Sequence, residues 1–260
     1  MKVRILLMLY TLFTFLNATE QKIYTTADVH SHNDYENKIP FWMAYKEGFG
    51  SIEADIFLVG NHLYVGHDTL EIKKRRTLEK FYLEPLKAMI AKNHGSVYKM
   101  KTRKLQILVD VKTDSVATLN RLVQVLKAYP TLIHNKNLRF TISGNRPNPK
   151  DYPKYPSFIW FDGRLSENYS LAALKKVGLI SDDFTNFSNW DGKSSINPSD
   201  ENKLLDLVHK VHAMNRKLRF WATPDTHTTW NEMMKLKVDY INTDSIVSLS
   251  RYLVKHPQFQ

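Results

Sequence analysis

Eight short apolar runs alternate with amphipathic helical patterns along this 260-residue chain, and this alternation strongly constrains the fold. The runs are rich in β-branched and aromatic residues, as strands are. They lie at residues 23–29, 51–58, 105–111, 138–143, 157–161, 179–181, 218–222 and 240–243. Strands that alternate with helices form βα units around a parallel sheet, and the chain length suits a closed sheet. We therefore predict an α/β fold, a (β/α)8 TIM barrel.

The first residues have the layout of a secretory signal peptide. Two basic residues precede an apolar stretch from Ile5 to Leu16, and the small residue Ala18 follows it. The stretch is too short to span a bilayer, which argues against a transmembrane helix. We predict that residues 1–18 are a signal peptide, that residues 19–260 form one domain, and that the protein is secreted or periplasmic.

Composition limits the chemistry and the partners. The chain has no cysteine, which excludes disulfides, thiolate metal sites and cysteine nucleophiles. Its formal net charge is +11, and a basic protein favours anionic partners, including a membrane surface that it contacts peripherally. The lysines are spread over many helices, so we expect no nucleic acid partner. The oligomeric state is left open.

Three acidic residues are candidate metal ligands. Glu53 and Asp55 lie two residues apart on one apolar run, so both carboxylates are predicted to face the same side of a strand. Asp110 ends another apolar run, and Lys112 lies two residues further on the same face. Buried carboxylates need a compensating charge, and they are hard ligands suited to calcium or magnesium. We predict one divalent cation, Ca²⁺ or Mg²⁺, at Glu53, Asp55 and Asp110.

Each of these acids also has a structural interpretation. The first two would be solvated if their strand lay at the edge of the sheet. Asp110 would form a buried ion pair with Lys112.

His32 and His67 are the candidates for proton transfer. An unperturbed imidazole has a pKa of about 6.5, so it can act as base or acid near neutral pH. Lys112 would place positive charge beside developing phosphoryl oxygens.

Three further residues are predicted to contact the substrate: His30, Asn33 and Trp221. The pair His30 and His32 also matches the start of a zinc amidohydrolase site. The fifth and sixth runs, however, contain no histidine that would complete such a site.

These segments resemble the PI-PLC-like phosphodiesterase superfamily, particularly its glycerophosphodiester phosphodiesterase branch. That branch combines an early histidine, a Glu-x-Asp strand, a His-Asp segment and an acid-x-Lys strand. Here these are His32, Glu53-Ala-Asp55, His67-Asp68 and Asp110-Val-Lys112. More narrowly, the segment His-Ser-His-Asn-Asp-Tyr resembles a subgroup that includes bacterial exported proteins and the fungal altered inheritance of mitochondria protein 6.

The sequence departs from the branch at two positions. The usual His-Arg-Gly opening is replaced by His-Ser-His, which leaves His30 and His32 as alternatives for the first catalytic histidine. The third acid is Asp110, where the branch usually has glutamate.

The resemblance implies a TIM barrel of the PLC-like type and an exported, metal-dependent phosphodiesterase. Its substrate would be a small-molecule or lipid phosphodiester, either a glycerophosphodiester or one like a phospholipid headgroup. One of His32 and His67 would act as base and the other as acid, with a hydroxyl of the substrate as nucleophile. Two alternatives stay open: a non-catalytic barrel that binds a phosphorylated ligand, and another metal-dependent hydrolase, such as an amidase or phosphomonoesterase.

Overall fold

A parallel sheet of eight strands, with one antiparallel strand attached, forms the centre of the computed structural model. The structure describes residues 22–256, so the predicted signal peptide at 1–18 lies outside the described residues. The strands are β1 (Val29–Ser31), β2 (Ser51–Val59), β3 (His62–Val65), β4 (Leu105–Val111), β5 (Leu138–Gly144), β6 (Ile159–Gly163), β7 (Val177–Asp183), β8 (Leu218–Trp221) and β9 (Ile241–Thr243).

The sheet closes on itself. Its strand order is β8-β7-β6-β5-β4-β2-β1-β9, with parallel neighbours throughout. A parallel bridge between Arg219 and Tyr240 then joins β8 to the start of β9. The predicted (β/α)8 TIM barrel is confirmed.

Helices follow the strands on the outside of the barrel. They are α1 (Trp42–Glu47), α2 (Glu84–Lys92), α3 (Ser115–Lys127), α4 (Pro130–Ile133), α5 (Leu171–Leu174), α6 (Pro198–Ala213), α7 (His227–Lys235) and α8 (Ile246–Lys255). In α3, Leu119, Leu122 and Leu126 recur at helical spacing and are buried, and the Asp114 side chain caps the first turn. Within residues 22–256, no helix is both long and apolar enough to cross a bilayer.

Two elements differ from the prediction. Strand β1 begins only at Val29, because residues 26–28 form a 3-10 turn capped by Thr25. Strand β3 runs antiparallel to β2 and forms a hairpin with it. His67 therefore follows this hairpin and not one of the parallel barrel strands.

Successive side chains along each strand face the outer core and the barrel interior in turn. In β5, Phe140 and Ile142 pack in the main core, whereas Thr141 donates a hydrogen bond to Gln106 of β4 at 2.8 Å. A separate buried cluster of Leu108, Leu179 and Tyr240 lies on the interior side of the strands. We call these three residues the central plug. Because side chains fill the interior of a barrel of eight strands, the mouth at the carboxyl ends of the strands and the mouth at their amino ends are separate.

Candidate active site

The three predicted metal ligands come together at the carboxyl-end mouth. The register of β2 and β4 places Asp55 beside Asp110, and Glu53 lies two residues earlier on β2. One oxygen from each carboxylate lies within 4.8 Å of the others. This separation is small enough for one cation to contact all three groups.

Glu53 is buried between two basic side chains. Its Oε2 lies 2.7 Å from His30 Nε2 and 3.2 Å from Arg219 Nη1. Burial raises the pKa of Glu53, but the hydrogen bond from His30 and the charge of Arg219 outweigh it and hold the pKa below its usual range. Glu53 is therefore ionised despite its burial.

His30 lies behind the wall of the mouth. It is fully buried, and its Nδ1 is 2.8 Å from Ser51 Oγ. Burial, with the charge of Arg219, lowers the pKa of His30 to about 4. The imidazole of His30 is thus neutral and supports Glu53 through a hydrogen bond. His30 does not line the pocket above the acids, whereas the sequence predicts that it contacts substrate.

Asp55 has an unsatisfied oxygen. Its Oδ2 accepts a hydrogen bond from Tyr35 at 2.8 Å and lies 2.9 Å from Lys112 Nζ, whereas its buried Oδ1 has no hydrogen-bond partner among the described residues. Burial, then the charges of Glu53 and Asp110, raises the pKa of Asp55 to about 7. A divalent cation would satisfy this oxygen and relieve the repulsion between the acids, so the site fits such an ion.

Lys112 bridges two of the acids. Its Nζ is 3.2 Å from Asp110 Oδ1 as well as 2.9 Å from Asp55 Oδ2. The Asp110–Lys112 ion pair considered from the sequence is therefore present, as part of a larger charged group that also contains Asp55.

The two candidate proton-transfer residues stand at different depths. His32 Nδ1 is 2.8 Å from Asp244 Oδ1. Burial lowers the pKa of His32. The hydrogen bond to Asp244 and the charge of Glu53 raise this pKa by more than burial lowers it, so the net pKa lies above the usual range. The His67 side chain is 60% exposed, and its Nδ1 lies 3.1 Å from Tyr35 Oη.

A pocket of about 400 Å³ opens above the acids. Its lining includes the predicted residues His32, Asn33, Glu53, His67, Asp110, Lys112 and Trp221. Asp55 and His30 lie beneath it. The structure thus places the predicted site residues in or directly under one cavity.

Sequence reasoning missed two arginines that line the same pocket. Arg219 interrupts the apolar strand β8, and a charged residue within such a run is a signal that could have identified it. Arg164 follows β6 in a polar segment, where the sequence gives no comparable signal. Its Nη1 lies 2.9 Å from Oδ2 of the fully buried Asp162, which holds the guanidinium at the mouth.

Two family models match this chain. One, described as an AIM6-like phosphodiesterase domain, matches residues 19–136. The other, the glycerophosphoryl diester phosphodiesterase family, matches residues 217–245.

Curated relatives show the same similarity. The chain is 27% identical over 269 residues to an altered inheritance of mitochondria protein 6 homolog from Arthroderma benhamiae. This alignment covers 86% of this chain and 83% of that protein. The chain is also 26% identical over 271 residues to altered inheritance of mitochondria protein 6 from Eremothecium gossypii, in an alignment that covers 86% of this chain and 69% of that protein.

Solved structures share the fold. A glycerophosphodiester phosphodiesterase from Parabacteroides distasonis matches with a TM-score of 0.53 at 16% identity, over 88% of this chain and 97% of that one. A putative glycerophosphoryl diester phosphodiesterase from Agrobacterium tumefaciens matches with a TM-score of 0.51 at 14% identity, over 88% and 98% of the two chains. The predicted resemblance to the PLC-like phosphodiesterases and to the AIM6 subgroup is confirmed.

Proposed function

Because this chain is related to the AIM6-like and glycerophosphodiester phosphodiesterases, we propose that it is a metal-dependent phosphodiesterase. Its substrate is a glycerophosphodiester or a phosphodiester like a phospholipid headgroup. The observation that carries the proposal is the cluster of Glu53, Asp55 and Asp110, with its unpartnered Asp55 oxygen, beneath a pocket that contains two imidazoles.

Positive charge in the pocket suits a phosphodiester anion. Ca²⁺ or Mg²⁺ bound by the three acids would draw charge from a phosphoryl oxygen. Lys112, Arg164 and Arg219 line the same pocket and stabilise negative charge that develops on the other oxygens.

The histidines divide the proton transfers. The hydrogen bond to Asp244 favours the protonated form of His32, so His32 donates a proton to the leaving alcohol as the P–O bond breaks. His67 accepts the proton from the attacking hydroxyl as the new P–O bond forms. With a hydroxyl of the substrate as nucleophile, the first product is a cyclic phosphate.

The test is hydrolysis of a panel of glycerophosphodiesters and a chromogenic phosphodiester, with and without chelator. We expect turnover that EDTA abolishes and that Ca²⁺ or Mg²⁺ restores. Asp110→Asn should lower turnover by about 100-fold or more, because the metal contributes several kcal/mol to the transition state. Asp206→Asn, a matched charge change on the exposed face of α6, should not alter it.

Two results would contradict the proposal. Binding of phosphodiesters without turnover across the panel would favour a non-catalytic barrel. Two zinc ions per chain with hydrolysis of amides or phosphomonoesters would favour another metal-dependent hydrolase.

We also propose that the protein is exported after removal of residues 1–18. Expression of the full chain in a bacterial host should yield a secreted or periplasmic protein whose intact mass lacks this segment. A cytoplasmic protein of full mass would contradict the proposal.

A further inference from the structure

The amino-end mouth of the barrel, opposite the candidate active site, contains a second cavity. It measures about 660 Å³ and opens near the starts of β5, β6 and β7. Four basic side chains line it: Arg139, Lys175, Arg216 and Lys217. We call this cavity the basal basin.

Main-chain carbonyls and an aromatic ring hold its two arginines in place. Arg139 Nη1 donates to the Gly178 carbonyl at 3.2 Å, and its guanidinium carbon lies 4.2 Å from the centre of the Trp160 ring. Arg216 donates to two main-chain carbonyl oxygens at 2.6 and 2.7 Å. These contacts position the guanidinium groups without neutralising their charge. Burial lowers the pKa of both arginines, and their mutual repulsion adds to the shift at Arg139.

The lysines are similarly unpaired. Lys217 Nζ lies 4.3 Å from the centre of the Tyr240 ring, and Lys175 is exposed. Within residues 22–256, no ion pair of 4.0 Å or less joins any of the four basin cations to a carboxylate. The acid in the lining, Asp239, is engaged by His212 at 2.7 Å and by the Leu218 amide at 2.9 Å.

We infer that the basal basin is a second ligand site, which binds a phosphate group carrying two or more negative charges, such as a phosphomonoester or a diphosphate. Guanidinium groups present paired donors that match phosphate oxygens, and two of them here are held in position without a carboxylate partner. The phosphate can belong to a free small molecule or to a lipid headgroup. The basin shares no lining residue with the pocket above the acids, so this inference does not depend on the proposed function.

The test measures binding of pyrophosphate by calorimetry, and binding to phosphatidylcholine vesicles with and without phosphatidic acid. The double variant Lys175→Gln/Arg216→Gln removes two basin charges and leaves the stacked Arg139 in place. Its control, Lys92→Gln/Lys127→Gln, makes the same charge change at exposed positions on α2 and α3. A third variant, Lys112→Met, shows whether pyrophosphate binds at the carboxyl-end mouth and not in the basal basin.

We expect the basin variant to weaken binding by about tenfold or more, as loss of charge-assisted contacts does. The control and the Lys112→Met variant should bind the probes with affinities within about twofold of that of the wild type. Binding of pyrophosphate identifies a free ligand as the source, and binding to phosphatidic acid vesicles alone identifies a lipid headgroup. The inference is wrong if neither probe binds, if the control weakens binding as much as the basin variant, or if Lys112→Met alone abolishes binding.

Discussion

The buried Asp34 carboxylate organises the segment between β1 and α1. It accepts hydrogen bonds from Ser31 Oγ at 3.0 Å, from the Phe41 amide at 2.6 Å and from Tyr82 Oη at 3.0 Å. Phe41 has a φ of +64°, which a bulky residue adopts only when its surroundings impose it. Asp34 therefore links the two ends of the segment that carries His32.

Removal of this carboxylate should destabilise the protein. Asp34→Ala leaves the Phe41 amide and the Tyr82 hydroxyl buried without an acceptor, so we expect the free energy of unfolding to fall by about 2–4 kcal/mol. Urea unfolding measures the change. Asp206→Ala on the exposed face of α6 should change stability by less than about 0.5 kcal/mol. Equal effects of the two substitutions would contradict the role given to Asp34.

Asp34 should also make stability depend on pH. Burial raises its pKa from 3.8 to about 6, although three hydrogen bonds act against the shift. Because the folded-state value is the higher one, the native protein binds the extra proton, and the contribution is complete below the unfolded value and lost as pH rises through the folded value. Relative to Asp34→Asn, the wild type should lose up to about 3 kcal/mol between about pH 4 and pH 7.5. Parallel urea curves for the two proteins across this range would contradict the assignment.

We expect the fold to tolerate removal of the His67 side chain. Its side chain is 60% exposed, so His67→Ala should keep the thermal midpoint of the wild type. As a proton-transfer residue it should account for about 10²- to 10⁴-fold in turnover. The exposed His209 on α6 provides the matched control, and His209→Ala should have wild-type activity. Near-normal turnover of His67→Ala on a phosphodiester substrate would show that His67 is not the base.

Among the elements, the β2–β3 hairpin decides where His67 lies. Gly60 at its turn has a φ of +58°, and a Cβ added there would meet no atom within 4 Å. Gly60→Ala should therefore destabilise the protein by about 1 kcal/mol through backbone strain alone. Gly60→Asn should cost less, because asparagine tolerates this conformation. Urea unfolding of both variants checks the order, and equal stabilities of all three proteins would contradict it.

This hairpin also shows what sequence reasoning found and missed at the scale of elements. The apolar runs located all eight barrel strands, because buried parallel strands are continuously apolar. The residues Gly60-Asn61 between two apolar runs are typical of a two-residue hairpin turn, yet β3 was not predicted. Strand β1 was placed too early, because a capped 3-10 turn occupies residues 26–28.

For the whole molecule, the acids at the mouth connect cation binding to stability. Loading Glu53, Asp55 and Asp110 with Ca²⁺ or Mg²⁺ should remove their mutual repulsion. At about 100 times the dissociation constant, the ion should raise the thermal midpoint by about 5–10 °C. Differential scanning calorimetry with and without the ion measures this shift, which Asp110→Asn should abolish. An equal shift in that variant would place the ion elsewhere.

The part of the candidate site that lies within single strands could be predicted from the sequence. Two-residue spacing predicted that Glu53 and Asp55 share a face, and strand adjacency then brought Asp110 beside them. The pocket residues Arg164, which follows β6, and Arg219 of β8 come from other parts of the ring, and only closure of the barrel shows where they meet. The contact between His32 and Asp244 is also non-local, because β1 and β9 become neighbours only when the barrel closes.

The central plug also limits the routes open to a ligand. Leu108, Leu179 and Tyr240 are buried, and a barrel of eight strands is filled by side chains along its axis. A phosphodiester bound above the acids would therefore enter and leave on the same side. If the proposed reaction takes place there, its products should compete with incoming substrate for the same opening.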